Sequence, residues 1–324
     1  MIIVTGGAGF IGSALVWGLN KKDRRDVLVV DEIDHDEKER NLASLQYEEL
    51  VGIEEFRSKL TDGDYSEAGI EAILHMGACS DTTENNWEYL ESNNIEYSKE
   101  VIRWCFDRDI RCVYASSGAV YGDGASGYSD NHDLFDDLKP LNLYGKSKLD
   151  VDIWARDGGY LDKVAGLRYF NVFGPNEAHK EHMRSVIAKA WPRLRDKGVI
   201  ELFKSNNADW QDGKFTRDFL YIKDAVKMTL FFLEADAAGV FNCGTGQARS
   251  WNDVARALFK AVGKEESIKY IDMPDGLKNQ YQYKTEADVS KLKGVGYKGK
   301  CMTLEEAVTD YVKNYLQPDK HLGE

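Results

Sequence analysis

The amino-acid sequence predicts an α/β protein, built as a doubly wound parallel sheet with a smaller α/β lobe that binds substrate. Three observations support this fold class. Short apolar runs typical of buried strands recur at wide intervals, helical patterns fill those intervals, and a glycine-rich turn joins the first strand to the first helix. Alternating strands and helices form parallel sheets that are covered on both faces, and such sheets bind ligands at the carboxyl ends of their strands.

The predicted strands follow one another through the first half of the chain. After the opening "MIIVT", the apolar runs are "DVLVVD" (26–31), "EAILHMGA" (71–78), "RCVYASS" (111–117) and "KVAGLRYFN" (163–171). A helix is expected from the glycine turn through Leu19, and a longer one within "NNWEYLESNNIEYSKEVIRWCFDRD". The order therefore predicts a parallel sheet that is assembled mainly from residues before 172.

The glycine-rich turn "TGGAGFIG" predicts a Rossmann-type dinucleotide site. Gly6, Gly9 and Gly12 suit a tight turn, a close approach of the backbone to a pyrophosphate, and close packing of the helix on the strand. The helix that follows presents its N-terminal N–H groups and its positive dipole end to the phosphates. Asp31 ends the second strand, where a carboxylate can bond an adenosine ribose.

The chain divides into two predicted parts. The dinucleotide-binding domain is placed at residues 1–172, with segments near 216–248 returning to its sheet, and residues 173–324 form mainly the substrate-binding lobe. Helices are expected in this lobe near 223–236 and at about 250–262. The start of the last helix is predicted by a capping box that Thr303 and Glu306 form. Pro318 follows the end of this helix.

Composition excludes several classes of function. With a formal net charge of −13 the chain would repel nucleic acid and anionic membranes, so neither is an expected partner. No uncharged apolar stretch is long enough to span a membrane, and the apolar N-terminus lacks the basic leader of a signal peptide. Five cysteines without a C-x-x-C pair favour neither zinc nor disulfides (Cys79, Cys105, Cys112, Cys243 and Cys301). A cytoplasmic protein is expected.

A second motif, "YGKSK", predicts acid/base chemistry. Tyr144 and Lys148 are four residues apart and lie on one face of a helix. A free phenol, with a pKa of about 10, is a weak base at neutral pH. A nearby ammonium and an oxidised nicotinamide would favour the phenolate and lower this pKa. Ser117, at the end of the strand "YASS", could bond the same substrate oxygen.

These motifs together resemble the extended short-chain dehydrogenase/reductase superfamily, whose members mostly modify nucleotide sugars. "TGGAGFIG", "SSGAVYG", "YGKSK", "RYFNVFGP" (168–175) and "RDFLYIKD" (217–224) carry the resemblance, which covers nearly the whole chain. Within the superfamily, "MGACSDTTE" (76–84), "GPNEAHK" (174–180) and "LKNQYQYKTEAD" (277–288) are most similar to the ADP-L-glycero-D-manno-heptose 6-epimerases.

The resemblance implies epimerisation at carbon 6 of an ADP-heptose, a step in making lipopolysaccharide core precursors. Tightly bound NADP would take a hydride from carbon 6, and the resulting ketone would turn and receive the hydride on its other face. One acid/base group cannot easily serve both faces, so two are expected. In this family they match Tyr144 and Lys180. The resemblance also suggests a homo-oligomer.

The resemblance transfers individual roles to this sequence. Catalysis is expected from Tyr144, Lys180, Lys148 and Ser117. Cofactor contacts are expected from Gly6, Gly9, Phe10, Ile11, Gly12, Asp31, Glu32, Lys38, Met76, Gly77, Ala78, Cys79, Ser80, Asn93, Tyr144, Lys148, Val172 and Lys180. Substrate contacts are expected from Ser117, Asn171, His182, Lys189, Phe203, Lys204, Ser205, Asn206, Arg217 and Tyr281, with Arg217 clamping the diphosphate.

The segment "FGPNEAHKEH" (173–182) allows three interpretations from spacing alone. His179, His182, Glu177 and Glu181 are possible metal ligands, the stretch could be a solvated loop, or Lys180 could transfer protons. The predicted chemistry needs no metal, because hydride transfer uses the dinucleotide. We therefore predict catalysis by Lys180 and no metal site.

Departures from the family pattern leave alternatives open. Glu32 makes the ribose site more acidic than the family's usual asparagine would, and a 2′-phosphate is repelled by carboxylates, so NAD is the alternative cofactor. Lys38 and Arg40 are the cations that could offset this repulsion. A UDP-sugar 4-epimerase shares the same triad but does not require Lys180. A 4,6-dehydratase needs an Asp-Glu pair where this chain has Gly118 and Ala119, and a non-catalytic dinucleotide sensor needs no acid/base set.

Overall fold

The computed structural model describes residues 1–63, 65, 69–274 and 282–324. Its strands are β1 (Ile2–Thr5), β2 (Val27–Val30), β3 (Glu49–Val51), β4 (Ala72–His75), β5 (Arg111–Ser117), β6 (Ala165–Tyr169), β7 (Asn171–Phe173), β8 (Ile200–Phe203), β9 (Thr216–Tyr221), β10 (Gly239–Cys243), β11 (Ala248–Ser250) and β12 (Ile268–Ile271). The five predicted strands are confirmed as β1, β2, β4, β5 and β6.

The helices alternate with these strands through the first half of the chain. They are α1 (Phe10–Asn20), α2 (Asp36–Ala43), α3 (Ile53–Asp62), α4 (Trp87–Leu90), α5 (Tyr97–Asp107), α6 (Leu143–Asp157), α7 (Val186–Lys197), α8 (Ile222–Glu234), α9 (Trp251–Val262), α10 (Ser290–Gly294) and α11 (Leu304–Tyr311). A π-helical turn at Glu91–Glu96 joins α4 to α5 without a break, so the predicted long helix is present and contains a π-turn. In the described part of the chain, no helix is long and apolar enough to cross a membrane.

A parallel seven-stranded sheet forms the centre of the fold. Its strand order is β3-β2-β1-β4-β5-β6-β10, and every pairing in it is parallel. The order reverses between β1 and β4, so the carboxyl ends of these two strands border the crevice in which doubly wound sheets bind ligands. The sheet confirms the predicted fold class.

Two smaller sheets lie beside the central one. β9 pairs in parallel with β7 and antiparallel with β11, and β12 pairs in parallel with β8. Of the segments expected to return to the central sheet, β10 pairs with β6, whereas β9 belongs to the three-stranded sheet. Prediction from apolar runs did not identify β3, β8, β11 or β12, because each is short and only partly buried.

Among the residues that the structure describes, the core consists of two hydrophobic clusters, one on each face of the central sheet. Successive residues of β1 point to opposite faces, so that Ile2 and Val4 join one cluster and Ile3 joins the other. The predicted capping box at the last helix is confirmed: the Thr303 hydroxyl accepts from the backbone N–H of Glu306 at 3.3 Å, and the Glu306 carboxylate accepts from that of Thr303 at 2.9 Å.

Candidate active site

Two adjoining cavities open at the carboxyl ends of β1, β4 and β5. The glycine-loop cavity has a volume of about 670 Å³ and reaches from Gly6 to the end of β2. The tyrosine cavity has a volume of about 840 Å³ and lies between Tyr144 and α7. Both volumes suit a small-molecule ligand. The cavities share the residues Phe10, Ile11, Met76, Ala78, Ser80, Ala115, Lys180 and Met183.

The glycine loop has the backbone that a pyrophosphate requires. Gly6 has a φ of +62°, and a Cβ there would lie 2.8 Å from the backbone nitrogen of Gly77. A Cβ on Gly12 would lie 2.0 Å from the carbonyl oxygen of Gly6. Gly9 caps α1 without a side-chain hydrogen bond, so the start of the helix is left to an anionic ligand. The loop therefore fits a dinucleotide.

Asp31 links the end of β2 to this loop. Its carboxylate accepts from the backbone N–H of Ala8 at 2.9 Å and from that of Glu32 at 2.8 Å. Lys38 donates to Asp31 at 3.1 Å and pairs with Asp34 at 2.8 Å. Burial opposes the charge on Lys38, but the two carboxylates outweigh it and raise the pKa of Lys38. All three groups line the glycine-loop cavity together with Glu32.

A buried asparagine that sequence reasoning missed holds the loop after β4. Asn94 lies in the π-helical turn; its side chain accepts from the N–H of Cys79 at 2.8 Å and donates to the carbonyl of Cys79 at 3.0 Å. It also donates to Ser147 at 3.0 Å, and Ser147 donates to the carbonyl of Tyr144. The predicted neighbour Asn93 lines the glycine-loop cavity instead. A π-turn aligns these contacts, and such turns are frequent at functional sites.

Tyr144 stands at the start of α6 and lines the tyrosine cavity with Ser117. The helix begins there because Asn142 caps it, accepting from the backbone N–H of Gly145 at 2.7 Å. Burial raises the pKa of Tyr144, and the Ser117 hydroxyl partly offsets this effect by hydrogen bonding. Within the protein alone the phenol therefore stays protonated, and the lowered pKa expected from the sequence requires the positive charge of an oxidised nicotinamide.

Lys148 lies one helical turn after Tyr144, and only 4% of it is exposed. Its ammonium donates to the carbonyl of Ala115 at 3.0 Å, and this bond fixes its position next to β5. Burial lowers the pKa of Lys148 to about 8, although the nearby Asp152 acts in the opposite direction. Asp152 is itself buried against Arg168, at 2.8 Å. The lysine can therefore carry or release a proton near neutral pH.

Lys180 reaches both cavities from residues 174–185, which we name the Lys180 segment. Its ammonium lies 5.6 Å from the ring centroid of Phe10, the first residue of α1. Burial lowers the pKa of Lys180, and the carboxylate of Glu177 partly restores it. Glu177, which is 2% exposed, accepts from the backbone N–H of Gly174 at 3.2 Å and from the hydroxyl of Ser185 at 2.7 Å. The Glu177 carboxylate thus links the first and last residues of the Lys180 segment by hydrogen bonds.

The two histidines of this segment lie in different environments. His179 lines the glycine-loop cavity; burial, together with Lys180, lowers its pKa to about 4. His182 is exposed at the rim of the same cavity, 3.4 Å from Asp81. Among the described residues, no group of three or more His, Cys, Asp or Glu side chains is placed to hold a metal ion.

The structure brings most of the predicted site residues together. The glycine-loop cavity is lined by Gly6, Gly9, Phe10, Ile11, Gly12, Asp31, Glu32, Lys38, Met76, Gly77, Ala78, Cys79, Ser80, Asn93, Lys180 and His182. The tyrosine cavity is lined by Ser117, Tyr144, Lys148, Asn171, Val172, Lys180, Lys189 and Phe203. Their roles remain predictions.

The other predicted substrate residues lie elsewhere. The buried Arg217 donates to the carbonyl of Thr216 and lies 5.7 Å from the ring of Trp251, outside the lining of the tyrosine cavity. Lys204 pairs with Asp272 at 3.0 Å. Ser205 and Asn206 line a separate depression in the 205–212 loop. Tyr281 lies outside the described residues.

Sequence reasoning missed two arginines of the tyrosine cavity. Arg184 and Arg193 line it with the predicted Lys189 and Lys180, and Glu201 is the carboxylate that lines the same wall. Arg193 lies one turn after Lys189 on α7 and is paired with Glu201. The spacing of four residues from Lys189 could have revealed Arg193, because it places both on one helical face. This wall is suited to an anionic ligand.

A doubly wound sheet, a phosphate-binding glycine loop and a Ser–Tyr–Lys set beside it define a dinucleotide-dependent enzyme of the short-chain dehydrogenase/reductase class. Residues 2–244 match the sequence model of the NAD dependent epimerase/dehydratase family, and the chain belongs to that family.

Two curated relatives are similar along nearly their whole length. The chain is 46% identical over 324 residues to the ADP-L-glycero-D-manno-heptose-6-epimerase of Nitratidesulfovibrio vulgaris, covering 99% of this chain and 100% of that protein. It is 41% identical to the protein of the same name from Fusobacterium nucleatum, covering 98% of each.

Solved structures agree in fold. The ADP-L-glycero-D-manno-heptose-6-epimerase of Helicobacter pylori matches with a TM-score of 0.80 at 26% identity, covering 97% of this chain and 95% of that one. The UDP-N-acetylglucosamine 4-epimerase of Methanobrevibacter ruminantium matches with a TM-score of 0.79 at 25% identity, covering 98% of each chain. The fold alone therefore does not separate 6-epimerases from 4-epimerases.

Proposed function

We propose that this protein is an ADP-L-glycero-D-manno-heptose 6-epimerase that inverts carbon 6 of the heptose by transient oxidation and re-reduction. The observation that carries the proposal is the placement of Tyr144 and Lys180. Both line the tyrosine cavity, but they belong to different elements, α6 and the Lys180 segment. The near full-length similarity to relatives of this name supports the choice of substrate.

The chain's own residues would handle the protons. When bound, a dinucleotide would supply a reversible hydride acceptor. As carbon 6 is oxidised to a ketone, one of the two groups, Tyr144 or Lys180, would take the proton of its hydroxyl. As the ketone is reduced on its other face, the second group would donate a proton to the oxygen.

The electrostatics assign different tasks to the two groups. Tyr144 has Ser117 beside it, so that the phenolate, once formed, is stabilised by a hydroxyl, and Lys148 follows one helical turn later. Lys180 has a lowered pKa from burial, which brings an amine toward the range where it can both accept and donate a proton. Ser117 would bond the substrate oxygen between them.

The described residues favour NAD as the dinucleotide, although the family resemblance implied NADP. Three carboxylates line the adenosine end of the glycine-loop cavity, those of Asp31, Glu32 and Asp34. Lys38 already pairs with Asp31 and Asp34, and Arg40 turns away toward Glu37 and the carbonyl of Asp319. A 2′-phosphate would meet an excess of negative charge, whereas a ribose hydroxyl could donate to Asp31.

The tyrosine cavity is suited to the ADP-sugar. We propose that Lys189, Arg193 and Arg184 neutralise the diphosphate, since they bring positive charge to the wall opposite Tyr144. Phe203 and Trp251 provide apolar surface for the base and sugar.

As a biosynthetic enzyme that acts on a nucleotide sugar, the protein would work in the cytoplasm. That it forms a homo-oligomer remains a prediction.

The test is incubation of the purified protein with ADP-D-glycero-D-manno-heptose in heavy water, with UDP-glucose and UDP-N-acetylglucosamine as comparison substrates. We expect inversion at carbon 6 with little deuterium at that carbon, because the hydride returns directly. Full incorporation would indicate enolisation and contradict the mechanism. Turnover of only the UDP-sugars would identify a 4-epimerase, and tight nucleotide binding without any turnover would favour a sensor.

A further inference from the structure

We propose that His321 and Leu322, near the C-terminus, are positioning residues for the reaction. With Asn176 and Asn41 they form a clasp that fixes the Lys180 segment against the glycine loop; we name these four residues the C-terminal clasp. The proposal rests on the proposed function, because the group that it positions is Lys180.

The two C-terminal residues of the clasp are deeply buried. His321 is 4% exposed and Leu322 is 1% exposed, although Lys320 and Gly323 on either side are exposed. Nδ1 of His321 lies 2.8 Å from Oδ1 of Asn41 on α2, and Nε2 lies 3.1 Å from a carboxylate oxygen of Glu37. Burying an imidazole near a chain end costs free energy unless such partners satisfy it. The segment is therefore held in one place.

Asn176 connects this segment to the residues around Lys180. Its side-chain oxygen accepts from the backbone N–H of Leu322 at 2.9 Å, and its side-chain nitrogen donates to the hydroxyl of Ser13 on α1 at 2.9 Å. Its φ is +76°, a conformation that an L-residue other than asparagine or aspartate rarely adopts. Four residues later the chain reaches Lys180.

Asn41 completes the clasp on the other side. Its side-chain nitrogen donates to the carbonyl of Ala8 in the glycine loop at 2.9 Å and to the carbonyl of Asn176 at 3.2 Å. The same nitrogen lies 3.3 Å from Nδ1 of His179, the residue before Lys180. Because this nitrogen faces carbonyl acceptors, the amide oxygen is left for His321, whose Nδ1–H donates to it, and Nε2 can donate to the Glu37 carboxylate as well only when the ring carries both protons.

These contacts tie three separate parts of the chain to one point. The glycine loop positions the dinucleotide, the Lys180 segment positions an acid/base group, and both are bonded to the C-terminal residues through asparagine side chains. A shift of about 1 Å in an acid/base group can lower a rate by about a hundredfold. The clasp would therefore influence turnover without touching substrate or dinucleotide.

The test uses two variants and one matched control. Asn176→Gly removes both side-chain bonds yet permits the positive φ, because glycine adopts it without strain. His321→Ala removes the contacts to Asn41 and Glu37. Lys320→Ala, at an exposed neighbouring position, is the control. Each change is made in the full-length protein and again in a Lys180→Met background.

Hydrogen exchange of the amides 178–185 and the steady-state constants for ADP-heptose are then measured. We expect faster exchange in both clasp variants, a fall in kcat of about tenfold, and KM and bound dinucleotide close to normal. In the Lys180→Met background the clasp changes should cause no further loss of kcat, because both act through one group.

Two results would overturn the proposal. Unchanged exchange at 178–185 would mean that the clasp does not hold the segment. An equal loss of kcat with and without Lys180 would mean that the clasp supports the fold in general. Failure of the unmodified protein to convert ADP-heptose would instead contradict the proposed function, and the exchange measurement would still decide whether the clasp holds the segment.

Discussion

The carboxylate of Glu177 accepts a hydrogen bond from the hydroxyl of Ser185 at 2.7 Å, and so joins the two ends of the segment that carries Lys180. The same carboxylate also accepts from the backbone N–H groups of Gly174 and Ser185. Burial raises the pKa of Glu177, but these donors oppose that shift by stabilising the charged form. A loop is thereby given a fixed shape next to a cavity, which catalysis by a lysine requires.

Glu177→Gln should weaken this closure and alter the pH profile. An amide cannot accept as many bonds as a carboxylate, so we expect a loss of about 1–3 kcal/mol in the free energy of unfolding. Removing the negative charge also lowers the pKa of Lys180, since that charge now favours the ammonium. The limb of the kcat–pH profile that belongs to Lys180 should move to lower pH.

The matched control is Glu181→Gln, because Glu181 belongs to the same segment but has an exposed side chain. Equal pH profiles for the two variants would contradict a specific link between Glu177 and Lys180.

Tyr144→Phe and Lys180→Met should each abolish most turnover while leaving the fold intact. Each removes one of the two groups that we propose to transfer protons, and a positioned acid/base group contributes about a hundredfold or more to a rate. Tyr160→Phe, at a half-buried position distant from both cavities, serves as the control. Measuring kcat in both directions of the reaction is decisive: normal turnover by Lys180→Met would contradict the need for two groups.

Lys148→Met should stabilise the protein and inactivate it. The pKa of Lys148 is about 8 in the folded protein against 10.5 for an ordinary lysine. Between these values the unfolded chain holds a proton that the folded one has lost, so stability should rise as the pH rises from 8 to 10.5.

At neutral pH the buried ammonium thus costs about 3 kcal/mol, which methionine would recover. Thermal unfolding at several pH values measures this effect, with the exposed Lys146→Met as the control. A pH dependence that persists in Lys148→Met would assign it to another group.

The nucleotide released on denaturing the purified protein should be NAD. Replacing the carboxylate in Glu32→Asn should raise the affinity for NADP, since one of three negative charges near the ribose is removed. Calorimetric titration of the protein freed of nucleotide measures both affinities, and Glu54→Gln, whose side chain is 88% exposed, is the control. Release of NADP from the unmodified protein would instead agree with the family resemblance.

Arg193→Ala should raise KM for the ADP-sugar about tenfold with little change in kcat, because it removes a cation that we propose binds the diphosphate both before and during the reaction. Arg195→Ala is a close control: it lies two residues later on α7, is 59% exposed and pairs with Asp196. If both variants bind substrate equally well, the diphosphate lies elsewhere, and Arg217 becomes the first residue to examine.

Much of the fold and of the candidate site could be predicted from short-range patterns in the sequence. The strands β1, β2, β4, β5 and β6 and the glycine loop are each encoded within about ten residues, because period and turn chemistry are local properties. The pairing of Tyr144 with Lys148 has the same origin, since helical spacing alone places residues four apart on one face.

Tertiary structure determined the burial, the pKa values and the charge partners of those residues. The sequence offered three interpretations of the Lys180 segment, and only its closure by Glu177 and burial beside Phe10 distinguish a solvated loop from a positioned lysine. The bond between His321 and Asn41 joins residues 280 positions apart, which no local pattern reports. Burial, pKa and the pairing of charges depend on which distant segments meet, and that is set by the packed fold and not by spacing along the chain.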